Sequence, residues 1–234
     1  MTTMGMIGGL GPQATIYYYQ RMIDQFQNTY DKTGFPHIII ESLNIKTCLE
    51  LSSNGRWDDL AKGLTERCDA LLNAGAHFGL IASNTPHKVF DQIQSQTRLP
   101  LLSILDTTRT YLQEHRFKKP LLLGTGFTMK SDFFTKILKQ VNIHPVVPDE
   151  ESIVWIHDKI FSEIEFNIIK PETKKRFIEI IEKHRRMDHV DCVILGCTEL
   201  PLIIQSRDTD LPRVDTAEIH ADSAVSRYLY LEQS

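Results

Sequence analysis

Two polar tripeptides have the residue types and the setting for chemistry. Ser83-Asn84-Thr85 follows the apolar run ending in Ile81-Ala82, and Cys197-Thr198-Glu199 follows the run ending in Leu195-Gly196; each precedes a helical segment. Open α/β sheets bind ligands at such carboxyl ends of strands. The unpaired N–H groups and positive dipole end of a helix would hold a carboxylate there, and would lower a thiol pKa from its free value of about 8.5. Cys197 is therefore expected to be partly thiolate at neutral pH. Asn84, Thr85 and Thr198 are also good helix N-caps, and capping alone accounts for each one singly. As two matched copies they point instead to a shared ligand. The other cysteines, Cys48, Cys68 and Cys192, read as small buried hydrophobes. Their spacing fits neither a C-x-x-C pair nor a zinc ribbon, so a reducing cytoplasm and no metal site are expected.

Gly9-Leu10-Gly11-Pro12-Gln13-Ala14 matches the G-x-G-x-x-A dinucleotide fingerprint, with Glu41 as a potential ribose acceptor. Pro12 removes an amide where a pyrophosphate would need donors, so a tight turn with Pro at the first helical position, or a small carboxylate site, is the better reading. His87 and His220 sit near helix starts and are expected to be hydrogen-bonded structural residues. In Tyr17-Tyr18-Tyr19 consecutive residues point to different helix faces, part core and part interface.

The elements that must position these residues follow from the apolar pattern. Short apolar runs near residues 4–7, 37–43, 79–82, 101–104, 120–123, 142–146, 191–195 and 213–214 read as strands. Helical periods between them, clearest at 57–74 (ending at Gly75) and 173–183, give the α/β class with parallel sheets. The glycine turn at Gly9 returns at Gly124, 115 positions on, and Ser83 returns as Cys197, 114 positions on. Two motif pairs with nearly one offset imply two pseudo-symmetric, Rossmann-like units with the site in the cleft between them. The expected domains are 1–98 plus 208–234, with a C-terminal helix over 215–230 returning to the first unit, and 99–207. A chain of 234 residues, 41% hydrophobic and 24% charged, can bury proper cores. The net charge of −4 without long charge runs argues against nucleic acid or an anionic membrane surface as partner. No apolar run approaches the ~18 residues of a membrane span, and no signal peptide is visible.

Taken together, Gly8 through Thr15, Ser83-Asn84-Thr85-Pro86-His87, Leu122 through Met129, Gly196 through Leu200 and Asp215 through Ala221 resemble the motif set of the aspartate/glutamate racemase family, in order and over essentially the whole chain. The resemblance implies a cofactor-independent enzyme, without PLP or metal, acting on a small-molecule amino acid and commonly dimeric. One catalytic group would come from each domain, on opposite faces of the substrate Cα. Inverting Cα requires one group to remove a proton from one face while another delivers a proton to the opposite face. Asn84, Thr85, Thr198 and nearby amides would stabilise charge developing on the α-carboxylate.

The sequence departs from that pattern at Ser83, where the two-thiol racemases have Cys. A hydroxyl is a poor base toward carbon, so by resemblance Cys197 takes the α-proton of the L-amino acid, while Ser83 or a water it holds returns one. Leu10, Ser52 and Glu163 are the residues the resemblance places in the substrate pocket. Their plainer readings are core, loop and solvated helix face. Lys46, Arg56, Lys88 and Lys130 are the candidate cations for an acidic side chain. A one-cysteine arylmalonate-type decarboxylase and an amino-acid-binding pseudoenzyme stay open as alternatives.

Overall fold

Apolar runs closed by glycine or a polar turn become parallel strands, and amphipathic segments return the chain between them. A computed structural model describes all 234 residues. In chain order the elements begin β1 (Met4–Gly8), α1 (Pro12–Thr29), β2 (Ile38–Ser42), α2 (Ile45–Ser53), α3 (Trp57–Asn73), β3 (Phe78–Ile81), α4 (Phe90–Gln96), β4 (Leu101–Leu102) and α5 (Ile104–Glu114). They continue with β5 (Pro120–Leu123), α6 (Gly126–Lys130), α7 (Phe133–Lys139), α8 (Glu150–Ser162), α9 (Pro171–Asp188), β6 (Cys192–Leu195), α10 (Leu200–Ile203), β7 (Arg213–Asp215) and α11 (Thr216–Gln233). The chain forms two units, Met1–Thr107 with Ala217–Ser234, and Thr108–Thr216.

The first unit holds a parallel sheet in the order β2-β1-β3-β4. Its central strands β1 and β3 are buried along their whole length, as a sheet covered on both faces requires. On one side Leu60, Leu64, Cys68 and Leu71 of α3 join Ile7, Ile81 and Ile93 in a core. Asp58 and Asp59 favour the start of α3, and the chain leaves it through Gly75 at φ 99°. On the other side Ala217, Ala221, Ala224, Val225 and Tyr228 of α11 pack with Met4, Met6, Tyr18, Met22 and Phe78. Arg21 clamps that helix through two bonds to Asp222, at 2.7 and 2.6 Å. The C-terminal helix belongs to the first unit.

The second unit has the order β5-β6-β7, with its own core of Leu121, Leu123, Ile156, Ile160, Phe177, Ile181, Val193 and Leu195 among others. The strand expected at 142–146 is reduced to one bridge, Leu121 to Val146, although Val146 still bonds Pro120 and Leu122 at 2.8 Å each. His144 and Val146 donate to Lys118 and Pro120, but Pro148 lacks the next N–H a longer ladder needs, and Asn142 has φ 57°. With Val146 in the place of β2, both sheets share one strand order. The strand expected at 101–104 is also shortened: the chain turns into α5 at Ile104, and Ser103 Oγ accepts from the Asp106 amide at 3.2 Å. α9 exceeds the expected 173–183 at both ends, with Pro171 in its first turn, Arg185 and Arg186 in its last, and His189 closing it at φ 55°.

Candidate active site

In the first unit the sheet order reverses between β1 and β3, and their carboxyl ends carry the Gly9–Gly11 turn and Ser83. Gly9 has φ +74°, and a Cβ there would stand 2.1 Å from the Leu43 carbonyl oxygen. Its N–H donates to Thr15 Oγ1 at 2.7 Å, while the Thr15 amide and hydroxyl both donate to the Gly11 carbonyl at 3.2 Å. The turn thus spends its polar groups on itself, and Glu41 faces Arg67 at 3.4 Å. These contacts are those of a structural turn and not of a pyrophosphate cradle.

Ser83 is half-buried and Asn84 buried, at the start of a short 3-10 turn over Thr85–Val89. The Asn84 side chain makes no capping bond there. His87, one turn on, fixes the backbone of Ser83. The Ile104 amide donates to His87 Nε2 at 3.1 Å, which leaves Nδ1–H to donate to the Ser83 carbonyl at 2.8 Å. Burial, then His220, push the His87 pKa down to about 3. His220 receives the Tyr18 hydroxyl at Nδ1 (3.0 Å) and donates from Nε2 to the Leu102 carbonyl (3.0 Å); burial holds its pKa near 4. Both histidines are neutral structural groups, as the sequence implied.

In the second unit Cys197, Thr198 and Glu199 follow β6, and all three are buried. Cys197 Sγ–H donates to Glu199 Oε2 at 3.0 Å, and the Thr198 hydroxyl donates to the same oxygen at 2.8 Å. The hydroxyl is therefore held by Glu199 and is not a helix cap. The partly ionised thiol expected at Cys197 is not found. Burial first, then Glu199 and Glu165, push the thiol well above its ordinary pKa. α10 has four residues and starts three positions after Cys197, too short and remote to offset two carboxylates. The resting group is a neutral thiol hydrogen-bonded to a carboxylate.

Leu10 is buried against the α3 core, and Ser52 lies in α2 with its hydroxyl bonded to the Leu49 carbonyl at 3.1 Å. Glu163 is not on a solvated face. It is 4% exposed, with Oε1 receiving Lys159 (2.9 Å) and Lys170 (3.1 Å) and Oε2 receiving the Thr173 hydroxyl (2.6 Å). These donors, Thr173 first, hold its pKa near 2. Two residues on, Glu165 is the carboxylate that acts on Cys197, its own pKa raised to about 7 by burial and by Glu199. Sequence reasoning missed both acids as partners of the thiol. Glu199 was visible at two positions from Cys197; Glu165 carried no signal, because the turn Ile164–Phe166 brings it in from a distant segment. The candidate cations are engaged elsewhere: Lys46 with Glu50, Arg56 with Asp59, Lys130 with Glu150, and Lys88 over the Trp57 ring at 4.5 Å. No group of three His, Cys, Asp or Glu side chains is disposed to hold a metal ion.

Comparison with known proteins gives the family. Residues 7–224 match the family described as Asp/Glu/Hydantoin racemase. The broad specificity amino-acid racemase RacX of Bacillus subtilis is 25% identical over 97% of this chain and 98% of its own. Among solved structures, an aspartate racemase homologue from Pyrococcus horikoshii is 36% identical, with TM-score 0.85 over the full length of both chains. A protein from Yersinia pestis described as an Asp/Glu racemase is 30% identical, with TM-score 0.90 over 98% of this chain and 100% of that one. Two parallel α/β units, matched polar tripeptides on corresponding strand ends and a family match over nearly the whole length lead to one conclusion: this chain belongs to the Asp/Glu/Hydantoin racemase family.

Proposed function

We propose that the protein is a racemase inverting Cα of aspartate, glutamate or a related amino acid without PLP or metal, with Cys197 and Ser83 serving opposite faces of the substrate. The observation that carries this reading is the 3.0 Å bond from Cys197 Sγ to Glu199, a thiol beside its own proton acceptor. In the L-to-D direction the thiol proton passes to Glu199, and the thiolate takes the Cα proton. Ser83, or a water it holds, delivers a proton to the other face. The resulting alkoxide or hydroxide regains a proton from solvent as Glu199 releases its own, so the resting state is restored. Asn84, Thr85, Thr198 and neighbouring amides would meet the charge developing on the α-carboxylate. Leu10 lines the proposed substrate pocket, Ser52 contributes to it through α2, and Glu163 through the ion-pair network beside the Glu165 turn.

Chiral chromatography of L-amino acids incubated with EDTA-treated enzyme tests this reading. D-enantiomer formation supports it, and its absence across the common amino acids overturns it. The lone thiol also fits a decarboxylase, which carbon dioxide release from an arylmalonate would reveal, while binding without Cα exchange would mark a pseudoenzyme. We also assign the enzyme to the cytoplasm as a homodimer. All four cysteines are free thiols, and Ile16 and Tyr19 stand 61% and 46% exposed one turn apart on α1, whereas Tyr18 is core. No helix is long and apolar enough to cross a membrane. Sedimentation equilibrium at micromolar concentration should give twice the chain mass.

A further inference from the structure

The first unit contains a cavity of about 210 Å³ lined chiefly by Leu10, Leu43, Cys48, Leu51, Leu60 and Leu64. Leu10 lies two residues beyond β1 and Leu43 directly after β2, so the cavity lies at the carboxyl edge of the sheet, which also carries Ser83 after β3. An apolar cavity of about 150 Å³ is already large enough to hold benzene, so this one has room for a branched aliphatic or phenyl group.

Gly63 supplies an independent observation. It lies in the middle of α3 and lines the same cavity, and a Cβ at this position would meet nothing within 4 Å. Glycine is among the poorest helix formers, and neither backbone geometry nor crowding requires it here. Its effect is to leave the cavity open. The one cation on the wall, Arg67, faces Glu41 at 3.4 Å and Glu66 at 3.6 Å, so it is not set to receive a distal carboxylate. Cys48 is consistent with an apolar wall, since burial pushes its thiol up to about 11.

We infer that this cavity is the side-chain pocket of the enzyme and that the preferred substrate is an amino acid with an apolar side chain, such as leucine or methionine, in place of aspartate or glutamate. The inference rests on the racemase reading for its substrate and on the cavity alone for its selectivity. Steady-state racemisation of alanine, leucine, methionine, aspartate and glutamate by the wild type and by Gly63→Leu tests it. The expected kcat/KM for leucine and methionine exceeds that for aspartate and glutamate at least tenfold. Filling the cavity should lower the leucine-to-alanine ratio at least tenfold, with thermal stability no lower than that of the wild type. Faster turnover of aspartate or glutamate, or an unchanged ratio in the variant, would overturn the pocket while leaving the racemase reading intact. If no amino acid is racemised, that reading fails, and calorimetric titration with leucine and methionine decides the pocket. Binding lost in Gly63→Leu upholds it, and no binding to the wild type overturns it.

Discussion

At Cys197 burial first, and then two carboxylates, oppose ionisation of the thiol, yet one of these carboxylates, Glu199, is also its hydrogen-bond acceptor and the proposed acceptor of its proton. Glu199→Gln separates these effects. Removing the charge should lower the pH midpoint of Cys197 alkylation, followed by peptide mass spectrometry, while racemisation falls at least tenfold for want of an acceptor. A lower midpoint with unchanged turnover would dismiss Glu199 as acceptor. Glu165 gives a pH-dependent counterpart. Its folded pKa of about 7 lies above the ordinary 4.5, so the folded state binds the extra proton between these values. The stability this contributes is full below about pH 4.5 and is lost as the pH rises through 7. Glu165→Gln should therefore show its greatest stability gain, by urea unfolding, above pH 7. Equal gains at pH 4.5 and pH 8 would contradict the assigned burial. The strand-end positions of Cys197 and Ser83 could be read from the sequence because their polar tripeptides break apolar runs. The direction of the thiol shift could not, since it depends on burial and on Glu165, 32 positions away in the chain.

The two glycines that shape the first unit should respond in opposite ways. At Gly9 a side chain meets both a positive φ and the Leu43 backbone, so Gly9→Ala should lower stability by more than about 2 kcal/mol. At Gly63 the added methyl meets open space in a helix, so Gly63→Ala should raise stability by about 1 kcal/mol. Thermal or urea unfolding of the two variants checks the pair; destabilisation by Gly63→Ala would mean that α3 needs its glycine for packing. Strand cores such as 120–123 and 191–195 were legible because an apolar run is short and abruptly bounded, and α3 because its apolar stripe ends at a glycine. The segment 142–146 misled because its apolar pattern is that of a strand, while Pro148 withholds the next donor and Asn142 turns the chain at φ 57°. α9 was underestimated because charged residues at both ends hide a helix that caps and dipole interactions extend.

Across the whole chain, one strand order used twice gives each unit an equivalent carboxyl edge, one carrying a hydroxyl at Ser83 and the other a thiol at Cys197. Duplication of this kind suits a reaction whose two proton transfers are mirror images, and replacing one thiol by a hydroxyl makes the two ends chemically unequal. The repeat was legible from two motif offsets, because turns at strand ends keep their glycines and polar residues. The cavity beneath Leu10 was not, because it is formed by α2 and α3 from leucines that look like ordinary core, and by the side chain that Gly63 lacks. The proposed role of Cys197 is that of the carbon base. Proton NMR in D2O, following the Cα–H signals of L- and D-amino acids with wild type and with Cys197→Ala, tests it most directly. Exchange of the L-enantiomer by the wild type and a loss of at least a thousandfold in the variant are expected. Undiminished exchange in Cys197→Ala would contradict it.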